Sequence, residues 1–114
     1  MLGTIKSNTE ISYIFSHGNR YNLSVITLIV LRTDEQHGRN GRVAFIAGKK
    51  NGNAVWRNSA KRRMRAVFHE LKGPWEGFNV IFLANKKTTR VPFSTVVSAC
   101  KKVTDSLICE SCDD

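Results

Sequence analysis

Residues 42–68 read RVAFIAGKKNGNAVWRNSAKRRMRAVF. The first six, RVAFIA, are apolar after the arginine and carry β-branched and aromatic side chains, which predicts a strand. GKKNGN over 48–53 reads as a turn holding two glycines and two lysines. Asn53 can cap a helix that runs to about Leu71, where Gly73 and Pro74 end it. Working outward, Ser7 and Glu10 have capping-box spacing, and Ile11, Ile14 and Phe15 recur at helical spacing until Gly18. An extended stretch from Asn19 leads into VITLIVL over 25–31, a nearly all-apolar strand. Downstream, FNVIFLA over 78–84 is another strand. Pro92 opens a last helix with one apolar stripe of Phe93, Val96, Val97, Cys100, Val103 and Leu107. The order is α-β-β-β-α-β-α, which predicts a single α+β domain over 1–108, a four-stranded sheet packed with helices. Residues 109–114 read as a short polar tail, and 34–41 and 73–77 as loops.

Composition narrows the function classes. With 114 residues there is room for one core, and 41% apolar content excludes a disordered chain. No run of 18 apolar residues occurs, so no membrane span is expected. Met1 to Ser7 carries Lys6 but no apolar segment of the secretory type. Three cysteines, Cys100, Cys109 and Cys112, are an odd and scattered set, which argues against a disulfide framework and for a reducing cytoplasm. Eighteen Lys and Arg against nine Asp and Glu leave a formal charge of +9. Nine of the eighteen bases fall between Glu35 and Glu70, where no acid occurs. A merely solubilising surface would mix both signs, so this segregation points to a polyanionic partner.

On a helical wheel, Arg57, Asn58, Lys61, Arg62 and Arg65 fall within an arc of about 140°. Trp56, Ala60, Met64, Val67, Phe68 and Leu71 occupy the other side, and Arg63 flanks that apolar arc. Like charges at i, i+4, as in Arg57 with Lys61 and Lys61 with Arg65, cost about 0.2–0.5 kcal/mol each on an isolated helix. Bound phosphates offset that repulsion, and an arginine fork matches their oxygens. Lys49 and Lys50 leave a strand end just before the helix N-terminus, where backbone N–H groups also converge. No Gly-Lys-Ser or Gly-Lys-Thr follows a four-residue gap, so this is not a nucleoside-triphosphate loop.

The same residues carry a resemblance. Residues 42–68 closely resemble the signature of the protein subunit of bacterial ribonuclease P, roughly RVGxxVSKKxGxAVxRNRxKRxxRxxF. Arg42, Val43, Lys49, Lys50, Gly52, Ala54, Val55, Arg57, Asn58, Lys61, Arg62, Arg65 and Phe68 are kept. Residues 5–18 are similar to the family's opening helix, and 79–84 to its strand DxVIIAR. The departures are Ser59 at the family's third Arg-Asn-Arg position, Ile11 at its first helix aromatic, Ile46 and Gly48 at small polar positions, and Asn85 at an arginine. Arg63 is the candidate replacement for the guanidinium missing at Ser59.

The resemblance implies a fold like the second domain of ribosomal protein S5, with a left-handed β-α-β crossover. It implies a non-catalytic protein of a cytoplasmic RNA enzyme that removes the 5′ leader of precursor tRNA, with Mg2+ held through the RNA subunit and no cofactor on the protein itself. Arg57, Asn58, Lys61, Arg62 and Arg65 would bind the catalytic RNA. A cleft between the first helix and the sheet would hold the single-stranded leader through Phe15, Lys49 and Lys50, Phe15 by stacking and the lysines on phosphates. The residues agree that catalytic chemistry is absent. His17, His37 and His69 stand at helix ends or in a loop, and Cys109 and Cys112 form a lone CxxC without further ligands. Tyr21 and Phe45 are further aromatics, with Phe45 expected in the core. The competing readings are a ribosomal RNA-binding protein of similar fold and a basic DNA-binding module; no helix-turn-helix pair supports the second.

Overall fold

The computed structural model describes residues 8–32, 42–48, 52–73, 75 and 77–112. Lys49, Lys50, Ser7 and His37 lie outside these described residues. The elements run α1 (Asn8–His17), β1 (Asn19–Leu23), β2 (Ile26–Arg32), β3 (Arg42–Ala47), α2 (Ala54–Glu70), β4 (Phe78–Ala84) and α3 (Phe93–Cys112). A 3-10 turn, Lys86–Thr89, follows β4, where no element was expected. The extended stretch from Asn19 is a full strand, and α3 takes in residues 109–112 of the expected tail.

One sheet has the order β1-β2-β4-β3. β1 pairs antiparallel with β2 and β2 antiparallel with β4, whereas β3 pairs parallel with β4. A parallel neighbour cannot be reached by a hairpin, so α2 is the crossover between β3 and β4. Side chains alternate across the sheet. Leu28, Val30, Val43, Val80 and Phe82 face one side, where they pack with Ala60, Met64, Val67 and Phe68 of α2 and with Val96, Cys100 and Val103 of α3. Ile29, Ala44 and Ile81 face the other side and pack with Ile14 of α1. The domain therefore has three layers, α1 over one sheet face and α2 with α3 over the other.

The larger core is aromatic. Trp75 stacks on Phe82 with centroids 6.2 Å apart, and Phe68 meets Trp75 edge-on at 5.6 Å. Edge and stacked pairs of this kind add about 0.5–1.5 kcal/mol beyond area burial. The α3 stripe is only partly as expected: Val96, Cys100 and Val103 are buried, but Phe93 is 36% exposed at the helix start.

Capping explains where α2 begins and ends. The Asn53 side chain accepts from the Trp56 backbone N–H at 3.0 Å. At the far end, Gly73 N–H donates to Phe68 O at 3.2 Å and Lys72 N–H to His69 O at 3.1 Å, the paired bonds of a Schellman cap. The left-handed position is Lys72, at φ 61°, not the glycine that sequence pattern favours. Gly73 is small for a different reason: a Cβ there would lie 2.3 Å from Phe68 Cε1.

Two substitutions test this cap by urea denaturation. Lys72→Gly should stabilise the protein by about 0.5–1 kcal/mol, because glycine adopts positive φ freely. Gly73→Ala should destabilise it by about 1–3 kcal/mol, because the Phe68 ring sits in a packed core and cannot withdraw. Unchanged midpoints for both would contradict the cap.

Candidate nucleic-acid interface

The apolar arc of α2 determines what its other arc presents. Ala60, Met64, Val67 and Phe68 are buried against the sheet. Asn58, Arg62 and Arg65 are exposed, and Arg57 and Lys61 are half-buried. The structure thus brings all five predicted residues to the outward side of one helix, in a stretch with no carboxylate before Glu70. The Arg65 guanidinium lies 5.9 Å from the centroid of Phe45. Phe45 itself is half-buried, with Phe82 at 5.4 Å and Phe68 at 5.8 Å, so it joins the core as expected and also anchors an arginine stem.

Arg63 is a correction. Its Nη1 donates to the Thr88 carbonyl at 3.2 Å and also to the Val91 carbonyl. The guanidinium is committed to the chain after β4 and does not fill the place left at Ser59. Trp56 adds a second tie, its Nε1–H donating to Thr89 Oγ1 at 3.0 Å. The tied segment is well made: Asn85 and Thr88 form a capping box, and Thr88 Oγ1 donates to Val25 O at 2.6 Å. Asn85 Nδ2 also reaches Ser24 O at 3.3 Å. Asn85, at the family's arginine position, is here a turn former that joins β4 to the β1–β2 hairpin.

The other expected site lies across the sheet. Phe15 is 37% exposed on α1, with the Arg20 guanidinium 5.9 Å from its ring centroid. Ile11 is partly buried against the smaller cluster, together with Ile46 and Leu83. Register places Ile46, Leu83, Thr27 and Asn22 in one row across all four strands. The row lies two residues from the buried Ala44, Ile81 and Ile29, hence on the face that carries α1. Ile46, Leu83 and Thr27 are half-buried and Asn22 is exposed, so beside α1 the sheet offers a shallow apolar floor with a polar edge. The resemblance implied a cleft between the first helix and the sheet, but not which residues floor it, although the unbroken apolar runs over 43–47 and 80–84 signal strands with two apolar faces. Lys49 and Lys50, expected here, lie outside the described residues.

Nucleophilic and metal chemistry find little material. Burial pushes the Cys100 thiol up to about 12, so it behaves as a small core hydrophobe. Among the described residues no three His, Cys, Asp or Glu side chains gather into a metal-binding group. No helix among them is long and apolar enough to cross a membrane.

Comparison with known proteins bears on this geometry. The family Ribonuclease P matches residues 3–107. A relative in Natranaerobius thermophilus, named ribonuclease P protein component, is 35% identical over 92 residues, which cover 79% of this chain and 76% of that one. A relative of the same name in Streptococcus mutans is 33% identical over 93 residues, covering 81% and 75%. Among solved structures, the ribonuclease P protein of Staphylococcus aureus superposes with a TM-score of 0.76 at 21% identity, covering 92% of this chain and 94% of that one. That of Thermotoga maritima gives 0.72 at 24% identity, covering 88% and 93%. These two likenesses speak to the fold.

The two arginine roles separate experimentally. Arg65→Ala should weaken binding to a structured RNA by on the order of 1–3 kcal/mol, the worth of a charge-assisted contact, with little change in melting temperature. Arg63→Ala should instead lower stability by about 1–3 kcal/mol, because it leaves the Thr88 and Val91 carbonyls without their charged donor. Melting curves and filter binding on both variants would expose a reversed assignment.

Proposed function

The chain belongs to the ribonuclease P protein family, and from that membership we propose that it binds the catalytic RNA through α2 and the 5′ leader of precursor tRNA beside α1. The observation that carries this reading is the division of the surface by the sheet. A cationic helix face without carboxylates stands on one side, and on the other stands a shallow apolar floor beside α1, the helix that carries Phe15.

Each side suits one kind of RNA. Guanidinium and ammonium groups spaced along a helix neutralise backbone phosphates and release counterions, which supports docking on a folded RNA without base reading. A floor of half-buried aliphatic side chains with an aromatic at its rim suits unpaired bases, which present apolar faces. Lys50 and Lys49, which precede α2 in the chain, would meet the leader phosphates. Phe15 would stack on a base once Arg20 yields the ring face, or hold the base between guanidinium and ring. Ile11 lacks a π-face, so this protein depends on Lys50 more than stacking alone would require.

The protein contributes no nucleophile or general base in this account. The RNA subunit performs the hydrolysis with its own magnesium ions, and the protein lowers the phosphate repulsion that otherwise only high salt screens. The location of the assembly is the bacterial cytoplasm.

Reconstitution tests this directly. The protein alone should leave precursor tRNA intact, and with the RNA subunit it should accelerate leader removal most strongly at low magnesium. Affinity for the RNA subunit should fall with salt at a log–log slope of roughly −3 to −4, as four neutralised phosphates require. A flat salt response, or cleavage by RNA-free protein, would overturn the reading.

A further inference from the structure

α1 presents a second aromatic feature, on the flank away from Phe15. Tyr13 is 55% exposed, and its ring stacks on that of His17 with centroids 4.1 Å apart and planes inclined by 22°. The imidazole is held there by its own hydrogen bond, Nδ1 donating to the Tyr13 carbonyl at 3.0 Å. The carbonyl only accepts, so Nδ1 carries a hydrogen, and in the neutral ring Nε2 is the acceptor. The pair is therefore a rigid, stacked, solvent-facing surface, whose rotamer cost is already met before any ligand arrives.

The path from Phe15 to this pair is open. Phe15 and Tyr13 are about 160° apart around the helix. On a cylinder of about 10–12 Å diameter that is an arc of about 15 Å, more than a single base spans. Between them stand Ser12 and Ser16, both exposed and both small. Ile14 is the only inward side chain of residues 12–17, at 2% exposure. Charge is compatible with a polyanion along the whole path: the sole acid of α1, Glu10, is paired with Arg42 at 2.6 Å. Arg20 stands at the Phe15 end.

We propose that the Tyr13–His17 stack is a second station for the leader, binding an unpaired base upstream of the one at Phe15 after the strand crosses the Ser12–Ser16 saddle. This rests on the leader reading given above. The occupant is the substrate strand, because α2 and its cationic face lie on the opposite side of the sheet from α1. Tyr13 supplies the stacking surface. His17 positions that ring and offers Nε2 to a 2′-hydroxyl or exocyclic amine.

The test uses the reconstituted holoenzyme and 5′-labelled precursors with leaders of one nucleotide and of about ten. The readout is the affinity advantage of the long leader over the short one. Tyr13→Ala should cut that advantage about five- to 150-fold, the range expected for one stacked base. Tyr13→Phe should retain it. Tyr13→Leu, which keeps side-chain bulk on the helix, should lose it with the melting temperature unchanged. Equal losses on both leaders, or no loss, would overturn the proposal. Phe15→Leu and Lys50→Ala separate the two levels of the argument. If they reduce the long-leader advantage while the Tyr13 variants do not, the second station fails and the leader cleft stands. If none of the variants distinguishes the leaders, the cleft reading itself fails.

Discussion

β4 gives side chains to both parts of the core, and the rest of the domain follows from that constraint. Phe78, Val80, Ile81, Phe82 and Ala84 are each 6% exposed or less. A strand with Phe78, Val80, Phe82 and Ala84 buried on one face and Ile81 on the other is poorly placed at a sheet edge, so it takes strand neighbours left and right and helices above and below. β2 takes one edge antiparallel and β3 the other in parallel. The parallel pairing requires the crossover through α2, and the exposed second face requires α1. Burying one large apolar side chain contributes about 1.5–3 kcal/mol, so leaving either face open would cost most of the net stability of a domain this size.

Two layers of helix on one sheet also create two independent surfaces. α2 spends its apolar arc on the core, which leaves its other arc for cations at fixed spacing. Among the described residues α1 covers only part of its sheet face, and the half-buried row of Ile46, Leu83 and Thr27 forms a floor. Neither surface is an addition to the fold. Each is the part of a core-forming element that the core did not use.

The periodic elements were legible in the sequence for this reason. The bounds of β3 and β4 and the cap at Asn53 followed from apolar runs and turn residues, because local pattern and burial agree there. The same holds for the five residues of the α2 face. What escaped was non-local. Near residues 85–91 the local signal is only the Asn85–Thr88 capping pair, and the 3-10 turn is held in place by Trp56, Arg63 and Val25 from 33, 25 or 63 residues away. Arg63 read as a spare RNA contact because a wheel shows only which side a residue is on, not which carbonyls wait there. Lys72 took the left-handed cap position that pattern gives to Gly73, since the Phe68 ring reserves the glycine for close approach. The floor beside α1 required strand register, which no single segment contains.

The proposed function has the sheet separating two RNA contacts, one on each side. It is tested most directly by crosslinking from defined positions in the assembled holoenzyme. A photoreactive group on Ser59→Cys, exposed on α2, and one on Ser16→Cys, exposed on α1, are placed in a background with Cys109 and Cys112 changed to serine; Cys100 is buried. With precursor tRNA bound, the probe at 59 should join the RNA subunit and the probe at 16 should join the leader. Crosslinks from both positions to the same RNA, or exchanged between the two, would contradict the account.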